Sequence, residues 1–281
     1  MAVKTKKPKA KELLMGAAAL AVVLVALVVL AFGLFGGQSP HTATLPALDD
    51  EATEPTLPPP EANLYGPTDF QYDGNYLTCL AGESVLGIDV SAHQQQVDWE
   101  KVADAGIEFV MIRVGYRGYK VGTIKMDPYA QSNYEGAKAA GLKIGVYFFS
   151  QAISTGEVIE EAQWLLSAIR DWELDMPVVY DWEYVSDAAR TADMTPRKLT
   201  NYTKVFCGMV KNAGYQPMVY FNRHHAKDML YLEELTDYPF WLAMYQDRMT
   251  YPYKVRMWQY TSEGSVPGIE GHVDINLWFP E

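Results

Sequence analysis

"PVVYDWEY" (177–184) is a run of β-branched and aromatic residues that ends on two carboxylates, Asp181 and Glu183, two positions apart. A β-strand rises ~3.3 Å per residue and sends alternate side chains to opposite faces. The pair therefore shares one face, with Cα atoms ~6.6 Å apart, while Trp182 faces away. By itself an acidic pair at a strand end is a weak motif, because such residues also simply meet solvent. Its meaning depends on the sheet that carries it.

Outward from this stretch, strand-like and helix-like segments alternate. "SVLGIDV" (84–90), "IEFVMIRV" (107–114), "LKIGVYFFS" (142–150), "MPVVYDWE" (176–183), "YQPMVYF" (215–221), "YPFWLAMY" (238–245) and "KVRMWQY" (254–260) read as strands, with "HVDINLW" (272–278) a shorter candidate. Helical patterns occupy 97–105, 128–140, 156–172 and 195–212, several ending on a glycine suited to a left-handed cap, as in "DAGIEF", "AAGLKI" and "NAGYQP". Regular βα alternation predicts a parallel barrel or a doubly wound sheet. No G-x-G-x-x-G follows the first strand, so a dinucleotide fold has no support. The later strands are linked by loops rather than long helices, which predicts a barrel irregular in its C-terminal half.

In a barrel, catalytic groups gather at the C-terminal mouth of the strands. Several other strands also carry polar or aromatic groups toward that end: Asp89, Tyr147, Tyr220, Gln259 and Asp274. Carboxylates converging from separate strands repel one another, which raises the pKa of a member and suits a general acid. Trp, Tyr and Phe make up 13% of the chain, consistent with stacking surfaces for sugar rings and equally with a core.

The stretches "GIDVSAHQQQVDWEKVADAGIEFVMIRVGYRGY", "GAKAAGLKIGVYFFSQA", "PVVYDWEYV" and "MWQYTSEGSVPGIEGHVDIN" resemble, in order from about Leu86 to Phe279, glycoside hydrolase family 25, the Chalaropsis-type lysozymes or N-acetylmuramidases of peptidoglycan. The resemblance implies a flattened, irregular (β/α) TIM-like barrel of mostly parallel strands that cleaves the β-1,4 bond between N-acetylmuramic acid and N-acetylglucosamine with retention. It implies Glu183 as general acid/base, Asp181 as its partner, and Asp89 and Asp274 as further active-site acids. Tyr147, Tyr220, Trp241, Tyr245, Trp258 and Gln259 are candidate lining residues, with core packing nearly as good an account of each. His93, beside Asp89 in the motif, is read as a structural hydrogen-bonding residue. The family often has glycine after the first glutamine of S-x-H-Q-G; here Gln95 follows Gln94, so the loop is expected to differ.

No cofactor is expected. His224-His225 resembles a metal dyad, but neighbours on a helix diverge, and no further ligand spacing is nearby. Two alternatives stand beside the muramidase: a non-catalytic wall-binding barrel, and a metal-dependent polysaccharide deacetylase.

The N-terminus has a different character. Five lysines, at 4, 6, 7, 9 and 11, precede 23 residues without a charge, Leu13 to Phe35. As a helix this run spans ~34 Å, enough for a hydrocarbon core of ~30 Å. Lysine-rich flanks stay in the cytoplasm. The expected order is a cytoplasmic tail (1–12), a transmembrane signal anchor (13–35), a linker and lead-in (36–82) and an extracellular catalytic domain (83–281). Residues 38–66, with prolines 40, 46, 55, 58, 59 and 60 and five acidic residues, are read as a disordered or polyproline-like tether. The net charge is −12, and +4 ahead of the apolar run leaves −16 beyond it, which argues against nucleic acid as a partner. The expected partners are peptidoglycan glycan strands and the membrane, for a monomeric catalytic domain. Cys79 and Cys207 make no disulfide framework, and their pairing is left open.

Overall fold

The computed structural model describes residues 57–280. In chain order the elements are β1 (Phe70–Asp73), β2 (Tyr76–Cys79), β3 (Val85–Val90), α1 (Trp99–Asp104), β4 (Phe109–Arg117), β5 (Ile124–Met126), α2 (Ala130–Ala139), β6 (Lys143–Ser150), α3 (Thr155–Ala168), β7 (Val178–Trp182), α4 (Pro196–Asn212), β8 (Pro217–Asn222), α5 (Arg223–Asp228), a 3₁₀ turn (Leu232–Glu234), β9 (Phe240–Ala243), β10 (Met257–Gly264) and β11 (Val273–Trp278). The strand and helix segments read from the sequence match these elements to within a few residues at their ends. The sequence reading did not include β5 or the β1–β2 hairpin.

The sheet runs β3-β11-β10-β9-β8-β7-β6-β4, and β3 pairs with β4 to close it into an eight-stranded barrel. All neighbours are parallel except at β11, which is antiparallel to both β10 and β3. The reason lies in the connection: β10 and β11 are joined by residues 265–272 without a helix, too short for a parallel crossover. β5 sits outside the ring, paired antiparallel with the extended end of β4.

Helix starts follow local capping chemistry. Asp98, Ser154 and Thr195 accept from the backbone N–H of Lys101, Glu157 and Lys198, and Pro196 occupies the first turn of α4. Gly106, Gly141 and Gly214 leave α1, α2 and α4 with φ of 89°, 78° and 89°, as the three glycine caps predicted.

Two apolar layers result from strand alternation. Outward side chains pack under the helices, while the barrel interior is filled by Val85, Phe109, Met111, Val179, Met218, Trp241 and Met257. Gly87 on β3 permits this filling: a Cβ there would lie 2.3 Å from the Phe109 ring. The interior is thus a packed floor, and only its upper end is polar.

The lead-in departs from its composition. Ala62 bridges Tyr253, the N–H of Asn63 donates to Pro252 O (2.8 Å), and the N–H of Lys254 donates to Glu61 O (2.8 Å). Tyr65 lies 4.8 Å from the Phe279 ring, Phe70 packs 5.0 Å from Trp258, and the N–H of Leu77 donates to the Tyr260 hydroxyl at 3.3 Å. The packed unit therefore begins well before residue 83, and the tether expected over 38–66 ends earlier. Proline and acid content dominated that reading, whereas a few spaced apolar anchors suffice to hold an extended chain. The lysine tail (1–12), the expected span (13–35) and the first part of the linker lie outside the described residues. Among the described residues no helix is long and apolar enough to cross a membrane. Cys79 and Cys207 are both buried free thiols.

Burying Phe70 and Leu77 contributes about 2 kcal/mol each. A domain starting at residue 83 is therefore expected to melt at least ~10 °C below one starting at residue 57, by calorimetry at equal pH.

Candidate active site

Asp89, Asp181 and Asp274 are carried by β3, β7 and β11, and Glu183 follows the last residue of β7. All four carboxyls line one cleft of about 570 Å³ at the mouth of the barrel, together with Tyr147, Tyr220, Trp241, Tyr245 and Gln259. Asp181 and Glu183 share this face as alternation predicted, while Trp182 turns outward into the core, its ring 5.2 Å from His225.

One hydrogen-bond network organises the acids. Asp89 Oδ2 accepts from Gln259 Nε2 at 2.8 Å and from Asn276 Nδ2 at 2.9 Å. The Tyr220 and Tyr245 hydroxyls donate to Gln259 Oε1 at 3.1 and 3.3 Å, and Trp241 Nε1 donates to Asn276 Oδ1 at 2.8 Å. Both amides therefore have a fixed orientation, N–H toward Asp89 and oxygen toward the phenols and indole.

The carboxyls differ in their surroundings. Burial pushes Asp89 up to about 6, held back by the Asn276 and Gln259 bonds that favour its charge. Asp274 faces Asp89 directly across β11 and β3; burial, then the charges of Asp89 and Glu183, push it up to about 8. Asp181 is raised well above the usual range by burial, then by Glu183 and Asp89, against the pull of the Arg113 guanidinium. Glu183 is raised by burial and by Asp89. Neither the Glu183 nor the Asp181 carboxyl accepts a hydrogen bond from the described residues, and Asp181 Oδ1 is buried without a partner.

The aromatic candidates separate into three groups. Tyr245, 56% exposed, forms an open rim. Tyr147, Tyr220 and Trp241 are buried in the floor, with Tyr220 and Trp241 in edge contact at 4.9 Å. Trp258 does not belong to the cleft. It is 0% exposed and packs outward against Phe70 and Tyr260, with Nε1 donating to Met244 O at 2.8 Å. Alternation along β10 turns Met257 and Gln259 inward and Trp258 outward, so Trp258 and Gln259 could not both line the site.

His93 is an exposed rim residue whose backbone N–H donates to Ser91 Oγ. Among the described residues no hydrogen bond forms through its ring, so the structural role expected of that side chain is not seen there. Gln95 takes the left-handed backbone a glycine would favour, at φ 55°, a conformation costing an L-residue about 1 kcal/mol. His224 and His225 diverge: His224 pairs with Asp228 at the surface while His225 is buried. Among the described residues, no group of three or more His, Cys, Asp or Glu is arranged to hold a metal ion.

Sequence reasoning missed Arg113, Asn276, Tyr116 and Tyr119. Arg113 lines the cleft and pairs with Asp127 at 2.8 Å; an arginine on the inward face of an apolar strand was its signal. Asn276 repeats on β11 the i, i+2 spacing of Asp181 and Glu183, counting from Asp274. Tyr116 and Tyr119 reach the cleft on the β4–β5 hairpin.

The glycosyl hydrolases family 25 model matches residues 88–269, most of the barrel with Asp89, Asp181 and Glu183. The chain belongs to this family. Within it, the chain is 28% identical over 208 residues to the YegX protein of Escherichia coli K12, covering 70% of this chain and 71% of that one. It is 29% identical over 191 residues to an autolytic lysozyme of Clostridium acetobutylicum, covering 68% of this chain and 54% of that protein. The structure of the modular autolysin LytC from Streptococcus pneumoniae, in complex with a synthetic peptidoglycan ligand, superposes with a TM-score of 0.61 at 27% identity, over 70% of this chain and 47% of that one. The chain thus spans about half the length of that autolysin. The family 25 barrel and its cleft make this chain a lysozyme-type glycoside hydrolase.

The crowded acids also predict a stability effect. A carboxyl whose folded pKa is raised stabilises the fold at low pH, and that stability is lost as pH rises through the folded value. For Asp274 the loss falls between the unfolded carboxylate range and about pH 8. Asp274→Asn is therefore expected to raise Tm at pH 8 by a few degrees and to change it little at pH 4. An equal shift at both values in thermal melts would disprove the assignment.

Proposed function

We propose that the domain hydrolyses peptidoglycan as an N-acetylmuramidase, with Glu183 protonating the leaving oxygen and then serving as base toward water. The observation that carries this reading is the contrast between neighbouring acids at one barrel mouth. Asp89 is charge-stabilised by two amide donors, whereas Glu183 has none and is biased by burial toward its protonated form. A general acid must hold its proton near the working pH, and burial and the Asp89 charge both shift Glu183 in that direction. The similarity to an autolytic lysozyme and to an autolysin bound to a peptidoglycan ligand supports the substrate class.

Asp181 is short of donors, so it is suited to accept from the 2-acetamido N–H of muramic acid and to turn that group onto its own anomeric carbon. Arg113 pulls Asp181 toward the charged form, against the larger effects of burial and of the Glu183 and Asp89 charges. Such a substrate-assisted route, like a covalent enzyme ester, retains configuration. Tyr245 and Gln259 flank the site where the sugar would lie.

The test is digestion of purified peptidoglycan by residues 57–281, with the new reducing end identified by mass spectrometry. N-acetylmuramic acid is expected at that end, with turnover unchanged in EDTA. Glu183→Gln is expected to cost at least ~100-fold in kcat, and Asp181→Asn to be severely impaired, while both variants still fold. Near-normal rates in Glu183→Gln would sink the assignment; a chelator-sensitive activity restored by zinc would point to deacetylation.

In the same reading residues 13–35 anchor a single-pass membrane protein whose monomeric catalytic domain lies outside the cell. Support comes from the five lysines and the uncharged 23-residue run behind them. Membrane fractions should retain the full-length chain after carbonate washing. Mature protein in the medium, beginning just after the apolar run, would replace the anchor with a cleaved signal peptide.

A further inference from the structure

Glu183 is the first residue beyond the β7 ladder, so β-pairing does not hold its carbonyl. That carbonyl instead accepts from Gln151 Nε2 at 2.8 Å, the side chain of a fully buried residue just after β6. The same amide nitrogen donates to Ser150 O at 2.9 Å, and Gln151 Oε1 accepts from the Thr191 hydroxyl at 2.7 Å. Two carbonyls can only accept, so the NH₂ must face them and Thr191 must be the donor. The backbone of Gln151 is held as well: its carbonyl accepts from Arg190 Nη1 at 3.1 Å, and Arg190 forms a two-point pair with Glu157 of α3 at 2.7 and 2.8 Å. One glutamine thus grips the loop from β7 to α4 at two points, at its first residue Glu183 and at Thr191.

We propose that Gln151 is a positioning residue for Glu183, fixing the backbone from which the general acid reaches the leaving oxygen. The inference rests on the reading of Glu183 as that acid. The Glu183 carboxyl itself receives no hydrogen bond from the described residues, so its placement depends on its backbone and on packing. Misplacing a catalytic group by about 1 Å costs on the order of 100-fold in rate. Gln151 does not itself line the cleft; it acts through the loop that carries Glu183.

The test uses leaving-group dependence, which separates loss of acid catalysis from loss of structure. A poor leaving group, such as the sugar hydroxyl of peptidoglycan, needs its proton; a nitrophenolate does not. Gln151→Met keeps the length and shape of the side chain and removes both donors and the acceptor. In this variant kcat/KM, which reports the cleavage step, is expected to fall about 10- to 100-fold on peptidoglycan. On a 4-nitrophenyl glycoside of the muramyl disaccharide it should stay within about 3-fold, the general acid being dispensable there. Gln151→Glu supplies a second readout. Its ionised carboxylate would face two carbonyl lone pairs, and protonation restores one donor, so its activity relative to wild type should rise as pH falls. Melting curves of both variants confirm that they fold.

Glu183→Gln is measured in parallel. If Glu183→Gln shows no selective loss on peptidoglycan, the general-acid reading fails. If Glu183→Gln shows it while Gln151→Met loses both substrates equally, or neither, Glu183 stands and the positioning role of Gln151 is overturned.

Discussion

Asp89 Oδ2 accepts two amide hydrogen bonds, from Gln259 on β10 and from Asn276 on β11, and through them a single oxygen joins three neighbouring strands of the closing seam. β11 is the strand that most needs such a pin. It enters antiparallel, from a loop rather than a helix, between two strands that otherwise run parallel to the rest. Both amide oxygens are satisfied as well: Gln259 Oε1 by two phenols, Asn276 Oδ1 by the Trp241 indole. A buried polar network of this kind is stabilising only when complete, because each partner left unpaired costs about 1–3 kcal/mol. Barrel closure and the electrostatics of the mouth are therefore one feature.

Four carboxyls in one half-dry cleft oppose folding, and the apolar floor beneath them offsets that opposition. The burial of Phe109, Met111, Trp241 and Met257 inside the barrel, beneath the acids, stabilises it. It also keeps water from the lower side of the cluster, raising the carboxyl pKa values. The low-dielectric wall that makes the site costly thus also biases Glu183 toward its protonated form. Donors set Asp89 apart: it accepts two amide hydrogen bonds, whereas the Asp181 and Glu183 carboxyls accept none from the described residues.

Around this centre the chain adds supports that contribute no cleft-lining carboxyl. The lead-in from residue 58 covers the outer face of β10 through Phe70 on Trp258 and Leu77 on Tyr260, behind the strand that presents Gln259. Gln151 and Arg190 do the same for the loop that follows β7. In both places a side chain facing the cleft is steadied by packing or hydrogen bonds on the opposite side of its own strand end.

The sequence by itself determined the βα order, the helix caps, the left-handed glycines and the shared face of Asp181 and Glu183. Each of these follows from steric and hydrogen-bond rules acting within a few residues. Strand alternation was equally legible, and applied strictly it would have separated Trp258 from Gln259. Which face of each strand became the barrel interior was not legible, because closure of the ring decides it. The partners that give each acid its character were hidden for a related reason. Gln259 and Asn276 stand 170 and 187 residues from Asp89, and Gln151 stands 32 from Glu183. The anchoring of residues 61–63 likewise depended on contacts with residues 251–254. Hydrogen bonds act over about 3 Å, so only the folded chain, by bringing distant strands into register, could assign them.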